Sequence, residues 1–130
     1  QLTNETIISC LPPFIQIAAI KALDQKYDAK YSKFHEIIKN RRDLIYNGLK
    51  SIRGIEVAKP NSSFYIFPKV NKKYKDINEF TNILLNKHKI AVCPGEIFGQ
   101  NCNLNFRMCY ASVNNHDLVR TINIIEKMLK

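Results

Sequence analysis

Arg107 is the residue whose setting most constrains what this chain can do. It falls within Asn105 to Ala111, where Phe106, Met108 and Tyr110 alternate with Arg107 and Cys109. That alternation is the pattern of a half-buried strand. A guanidinium in such a strand must face water or find a partner, because burying an unpaired charge is costly. Two readings stay open on pattern alone. Arg107 is an exposed arginine on the wet face, or it grips a carboxylate through two parallel hydrogen bonds, a geometry that lysine cannot supply. Pro94-Gly95 and Phe98-Gly99 precede it in one connected run, so Gly95 and Gly99 are expected to set backbone conformation beside the cation and not to act as ligands.

Other chemistry-bearing residues are less organised. Cys10, Cys93, Cys102 and Cys109 show no C-x-x-C spacing, and none of His35, His88 and His116 lies within four residues of one of them. A zinc site needs ligands paired at short spacing, so no metal site is expected, and reduced thiols fit a cytoplasmic protein. Lys69, Lys72, Lys73 and Lys75 cluster around Tyr74. With 20 Lys plus Arg against 11 Asp plus Glu, the formal charge is +9, and a basic interaction module that binds nucleic acid is one reading of that excess. The charge is spread over both halves of the chain, and the sequence is rich in Ile, Asn and Lys together. Solvated lysines and no nucleic-acid partner are therefore expected.

The elements that would position Arg107 can be read from periodicity. Pro12-Pro13 opens a helical segment, with Ile15, Ala18, Ala19, Ala22 and Leu23 on a face of small residues. Tyr27, Tyr31, Phe34, Ile38, Ile45, Leu49 and Ile52 continue at helical spacing towards Gly54. Residues 13–53 would form one very long helix or two in line. Short strands are expected at 55–57, 64–69, 90–92 and 105–110, with Pro60-Asn61-Ser62 as a turn. Asp76-x-x-Glu79 marks a helix start, and Leu118, Ile122, Ile125 and Leu129 mark a last amphipathic helix capped near Asn114 or Asn115. The fold class is α+β: a small mixed sheet of three to four short strands, helices packed mainly on one face, and a long helix in front. Hydrophobic residues make up 45% and charged residues 24% of the 130, which excludes wholesale disorder. No apolar run approaches the roughly 20 residues of a membrane span, so no membrane partner is expected.

Val92-Cys93-Pro94-Gly95-Glu96-Ile97-Phe98-Gly99, followed by Arg107 and Tyr110-Ala111, resembles the small C-terminal domain of the fold-type I, class I/II aminotransferases. Three further segments agree in order. Phe14-Ile15-Gln16 with Ala18-Ala19 and Ala22-Leu23 resembles the family's helix leading out of the large domain. Arg41-Arg42-Asp43 with Leu49 resembles its long connecting helix, and Pro60 to Phe67 its phenylalanine-tyrosine strand. The chain opens on Gln1 and not on Met, so it is expected to be a C-terminal fragment. Residues 1–24 would be the tail of the large domain and the start of the connecting helix, and residues 25–130 the small domain.

The resemblance implies a pyridoxal 5'-phosphate enzyme, homodimeric at full length, that moves an amino group between an amino acid such as aspartate and a 2-oxo acid. It implies that Arg107 binds the substrate α-carboxylate and that Phe64 lies at the pocket wall, against the simpler reading of Phe64 as a core aromatic. Within the same fold, a carbon–sulfur lyase or another fold-type I enzyme is the alternative. The family has Gly where this chain has Ser62, and Gly near Cys102 and Leu104. Its cofactor lysine lies in a Ser/Thr-x-x-Lys stretch, and no Ser or Thr here has Lys three residues on. No catalytic residue, no cofactor ligand and no cofactor are therefore expected in this chain, which alone should be inactive.

Overall fold

The computed structural model describes residues 10–71, 74 and 76–130. They fall into two compact units, one ending at Glu36 and one running from Ile37 to Lys130. Lys72, Lys73 and Lys75, most of the expected basic cluster, lie outside the described residues, as do residues 1–9.

The first unit is helical. Helix α1 spans Pro13–Ala22, with Pro at its start, where the missing N–H costs nothing. Leu23 and Asp24 end it, and a single 3-10 turn, Gln25–Tyr27, leads into helix α2, Asp28–Lys50. The Asp24 side chain accepts from the Lys26 backbone N–H at 3.1 Å. The long helical stretch is thus two helices, broken at a capping aspartate that periodicity alone does not single out. No residue of α1 is buried: Phe14 and Ile20 are 72% and 70% exposed, and Leu23 at its end is 85% exposed.

The second unit holds the core. Strands β1 (Ile55–Glu56), β2 (Tyr65–Ile66), β3 (Lys69–Val70), β4 (Cys93–Pro94) and β5 (Phe106–Cys109) alternate with helices α3 (Ile77–His88) and α4 (Asn115–Leu129). β1 pairs with β3, and β5 lies between β2 and β4. Every pairing described is antiparallel, with Cys93 opposite Arg107, Ile66 opposite Met108 and Ile55 opposite Val70. A mixed sheet was expected. The segment after α3 pairs not at 90–92 but at Cys93–Pro94, and it runs antiparallel to β5. The expected strand 64–69 is likewise two short strands, interrupted at Phe67-Pro68, since proline has no N–H for a ladder.

β5 carries Phe106 and Met108 on one face, followed by Tyr110 just past its end, all at most 5% exposed. They join Ile45 and Leu49 of α2, Ile77, Phe80 and Leu84 of α3, and Leu118 and Ile125 of α4 in one apolar core. The rings of Phe80 and Phe106 sit 5.2 Å apart. The helix residues of this core therefore cover the same face of β5, as expected for an α+β layer. The helix ends are capped as their sequences dictate. Asp76 accepts from the Asn78 N–H at 2.8 Å, and Asn114 from the Asp117 N–H at 2.9 Å. α3 closes with Lys89 in the left-handed region (φ 59°) and the Ile90 N–H bonded to the Leu84 carbonyl, a Schellman-type end without its usual glycine.

Asp43 sits between Arg42 and Lys59, each 2.9 Å away. Hydrogen bonds from those two cations hold its carboxyl down at about 2. A carboxyl titrating lower when folded stabilises above its unfolded value of about pH 4 and ceases to do so as pH falls through the folded one. Replacing Asp43 by Asn is expected to lower the thermal midpoint slightly at pH 7, by an amount that shrinks as pH falls from about 4 through 2. Melts of the two proteins across that range check it.

Candidate functional site: an arginine between two aromatic rings

The alternation that buries Phe106 and Met108 turns Arg107 and Cys109 to the other face of β5, where both are half-buried. Arg107 is thus neither in the core nor fully solvated. Its guanidinium carbon lies 4.3 Å from the Tyr65 ring centre and 4.6 Å from that of Phe98. Tyr65 belongs to β2, on one side of β5, and Phe98 follows β4, on the other. One guanidinium nitrogen, Nη2, reaches Cys93 Sγ at 3.8 Å, directly across the β4–β5 pair. Among the described residues no carboxylate forms an ion pair with it.

The loop that carries Phe98 is built on close backbone approach. The Gly95 N–H donates to the Asn105 carbonyl at 2.7 Å, and a Cβ at residue 95 would run into the carbonyls of Cys102 and Asn105. Only glycine fits there. The chain then makes a 3-10 turn, Gly95–Phe98, and Gly99 follows at φ 146°, a conformation that side chains disfavour. Asn78 at the start of α3 donates to Glu96 at 3.0 Å and ties the turn down. Phe98 in turn meets Phe67 edge-on, with ring centres 5.6 Å apart.

On the opposite flank, Ser63 takes a left-handed conformation (φ 71°). The strained residue is thus the second serine of the pair, not Ser62. Tyr110 holds this corner: its hydroxyl donates to the Ser63 carbonyl at 2.7 Å and its N–H to the Phe64 carbonyl at 3.1 Å. Burial pushes the Tyr110 phenol up, so the hydroxyl stays protonated and able to donate. Phe64 is 48% exposed and packs on Tyr65, ring centres 4.6 Å apart. The rings over the guanidinium are those of Tyr65 and Phe98. Pattern reading singled out neither as a neighbour of Arg107, although Phe98 was legible as part of a loop at its side.

Cys109 is the other polar group on this face. Burial acts to raise its thiol, but hydrogen bonds from the Ser112 hydroxyl and from the Ala111 and Ser112 backbone, with the Arg107 charge, outweigh it and bring the thiol below its ordinary value. Arg41, on α2, donates from Nη1 to the Ala111 carbonyl, while its buried Nε has no partner. No cluster of metal-ligating side chains occurs among the described residues.

A half-buried guanidinium close to two rings and without an anionic partner among the described residues is suited to bind a planar anion through two of its N–H groups. Comparison with known proteins bears on the chain as a whole. The family model for aminotransferase class I and II matches residues 2–125. The chain belongs to that family. It is 31% identical over 125 residues to an aspartate aminotransferase of Pyrococcus horikoshii, covering 95% of this chain and 32% of that protein. It is 36% identical over 122 residues to a probable aspartate aminotransferase of Methanocaldococcus jannaschii, covering 94% of this chain and 31% of that one. Among solved structures, an aromatic aminotransferase from Pyrococcus horikoshii superposes with a TM-score of 0.80 at 27% identity, over 98% of this chain and 34% of that one. The chain therefore spans about a third of the length of the curated relatives it matches.

Gly95→Ala is expected to destabilise by about 1–3 kcal/mol, because the added methyl meets backbone and must displace it. Gly48→Ala is the contrasting case. There the methyl meets the Ile122 side chain alone, which must shift to admit it, and a helix-propensity gain of about 0.8–1 kcal/mol offsets part of that cost, so Gly48→Ala should destabilise less. Denaturant melts of the two variants should differ in that direction.

Proposed function

We propose that this chain is the small-domain part of a pyridoxal-phosphate-dependent aminotransferase, which moves an amino group between an amino acid such as aspartate and a 2-oxo acid. In this reading Arg107 binds the substrate α-carboxylate and Phe64 lies at the wall of the pocket. The observation that carries it is the setting of Arg107: a guanidinium turned away from the core, 4.3 and 4.6 Å from two ring centres, and paired with no carboxylate of the described residues. A carboxylate arriving there meets parallel N–H donors at fixed spacing, and the same contact orients the substrate's α-carbon.

The chain's own residues do not fit as a cofactor cradle. Every described lysine is exposed apart from the half-buried Lys69, and a lysine that bonds covalently to a cofactor works from a dry pocket that lowers its pKa. The group that supplies the electron sink for amino transfer would be held by the part of the protein beyond this third of the relatives' length. The uncovered apolar surface of α1 agrees with residues 1–24 belonging with that part, and residues 25–130 with the small domain. The break at Leu23-Asp24 coincides with that boundary, whereas the two compact units divide at Glu36, inside α2. Homodimeric assembly and a cytoplasmic location belong to the same proposal. No described helix is long and apolar enough to cross a membrane.

Arg107→Lys in the full-length enzyme keeps the charge and loses the fork. A charge-assisted hydrogen bond contributes about 1.5–3 kcal/mol, so kcat/KM should fall about tenfold to a hundredfold, at about 1.4 kcal/mol per decade, with the thermal midpoint nearly unchanged. A change within twofold would return Arg107 to the role of an exposed strand residue. Loss of folding would make it structural. A second outcome concerns this chain alone: incubation with pyridoxal phosphate and borohydride should label exposed lysines weakly and at random. One stoichiometric label at a single lysine would contradict the assignment of the cofactor site elsewhere.

A further inference from the structure

We infer that Tyr65 and Phe98 are positioning residues for substrate, acting through Arg107 by holding its guanidinium close against both their rings. The inference rests on the reading of Arg107 as the carboxylate grip.

An arginine side chain has many rotamers, and each must be given up when it binds in one geometry. A guanidinium donates only in its plane, and its flat faces donate nothing. Aromatic rings attract it at those faces, through the negative charge of the ring surface, without competing with a carboxylate for the N–H groups. Rings this close therefore limit the guanidinium's motion without using its N–H groups, of which one on Nη2 is directed at Cys93 Sγ. The rings here are supplied from opposite sides of the strand that bears Arg107. Tyr65 stands on β2, opposite Cys109 in register, and Phe98 on the turn after β4. Neither ring is free to drift. Tyr65 packs against Phe64, and Phe98 against Phe67. Gly95, which admits no side chain, and the Asn78–Glu96 hydrogen bond fix the turn under Phe98. Phe98 is 44% exposed, more than a residue placed for core packing would be. Its placement is accounted for by the cation beneath it.

The test uses the full-length enzyme, assayed with L-aspartate, L-alanine and L-phenylalanine as donors and 2-oxoglutarate as acceptor, on the donor with the fastest turnover. Tyr65→Leu and Phe98→Leu should each raise KM about threefold to thirtyfold, with kcat changed less. Tyr65→Phe and Phe98→Tyr, which keep the ring, should recover most of that loss. Thermal midpoints are read alongside, and Phe98→Met replaces the leucine variant should that one fail to fold. The deciding measurement is a double-mutant cycle with Arg107→Gln. If the rings act through Arg107, removing one in the Arg107→Gln background should cost little further. Losses that simply add, or leucine variants with unchanged KM, overturn the positioning role while leaving Arg107 as the grip. An Arg107→Gln enzyme within twofold of the parent overturns the grip itself, and no turnover of any of the three donors overturns the aminotransferase reading.

Discussion

Successive residues of a β-strand point to opposite faces, and in β5 this one constraint separates the core from the site. Phe106 and Met108 go to the helices, and Arg107 and Cys109 go the other way. The cost of a charged side chain in the central strand is avoided because the strand's second face is only half-buried. A register slip of one residue would reverse every side chain and place the guanidinium among Ile45, Phe80 and Leu84. The core and the cation therefore specify the same register, one by attraction and one by exclusion.

What surrounds Arg107 follows from that register. With β5 central, the strands at its two sides bring one ring each, and the cross-strand partner Cys93 takes one N–H. The loop after β4 bears the stricter geometry. Gly95 lets two stretches of backbone approach within hydrogen-bond distance, and that approach carries Phe98 over the strand. On the far side, a serine held in a left-handed conformation is offset by two hydrogen bonds from Tyr110. Strain of this kind persists only where neighbours over-determine it. Both flanks are thus locked by contacts outside the site, and the arginine itself makes only weak ones.

The two compact units differ in how they are held. The second encloses a continuous core. α1, by contrast, has no buried residue and exposes Phe14, Ile17 and Ile20. A helix this apolar is ordinarily covered.

Much of this was legible in the chain itself, because local periodicity records which face of an element is apolar. The stripes of α3 and α4, the alternation in β5, the caps at Asp76 and Asn114, and the exposure of Arg107's face from the core side all follow from neighbours within a few residues. The motif run from Pro94 to Arg107 also carried the family resemblance. Strand direction, the displacement of pairing from 90–92 to Cys93–Pro94, and the split of one expected strand around Pro68 were decided only by packing. So was the choice of Tyr65 and Phe98, and not Phe64, as the rings over the guanidinium. These depend on which segments meet across long sequence separations. Periodicity is silent there, since it fixes the face a residue occupies and not the partner it meets. A ring that lies next to Arg107 in space and far from it in sequence could be recognised only once the antiparallel register brought the three strands together.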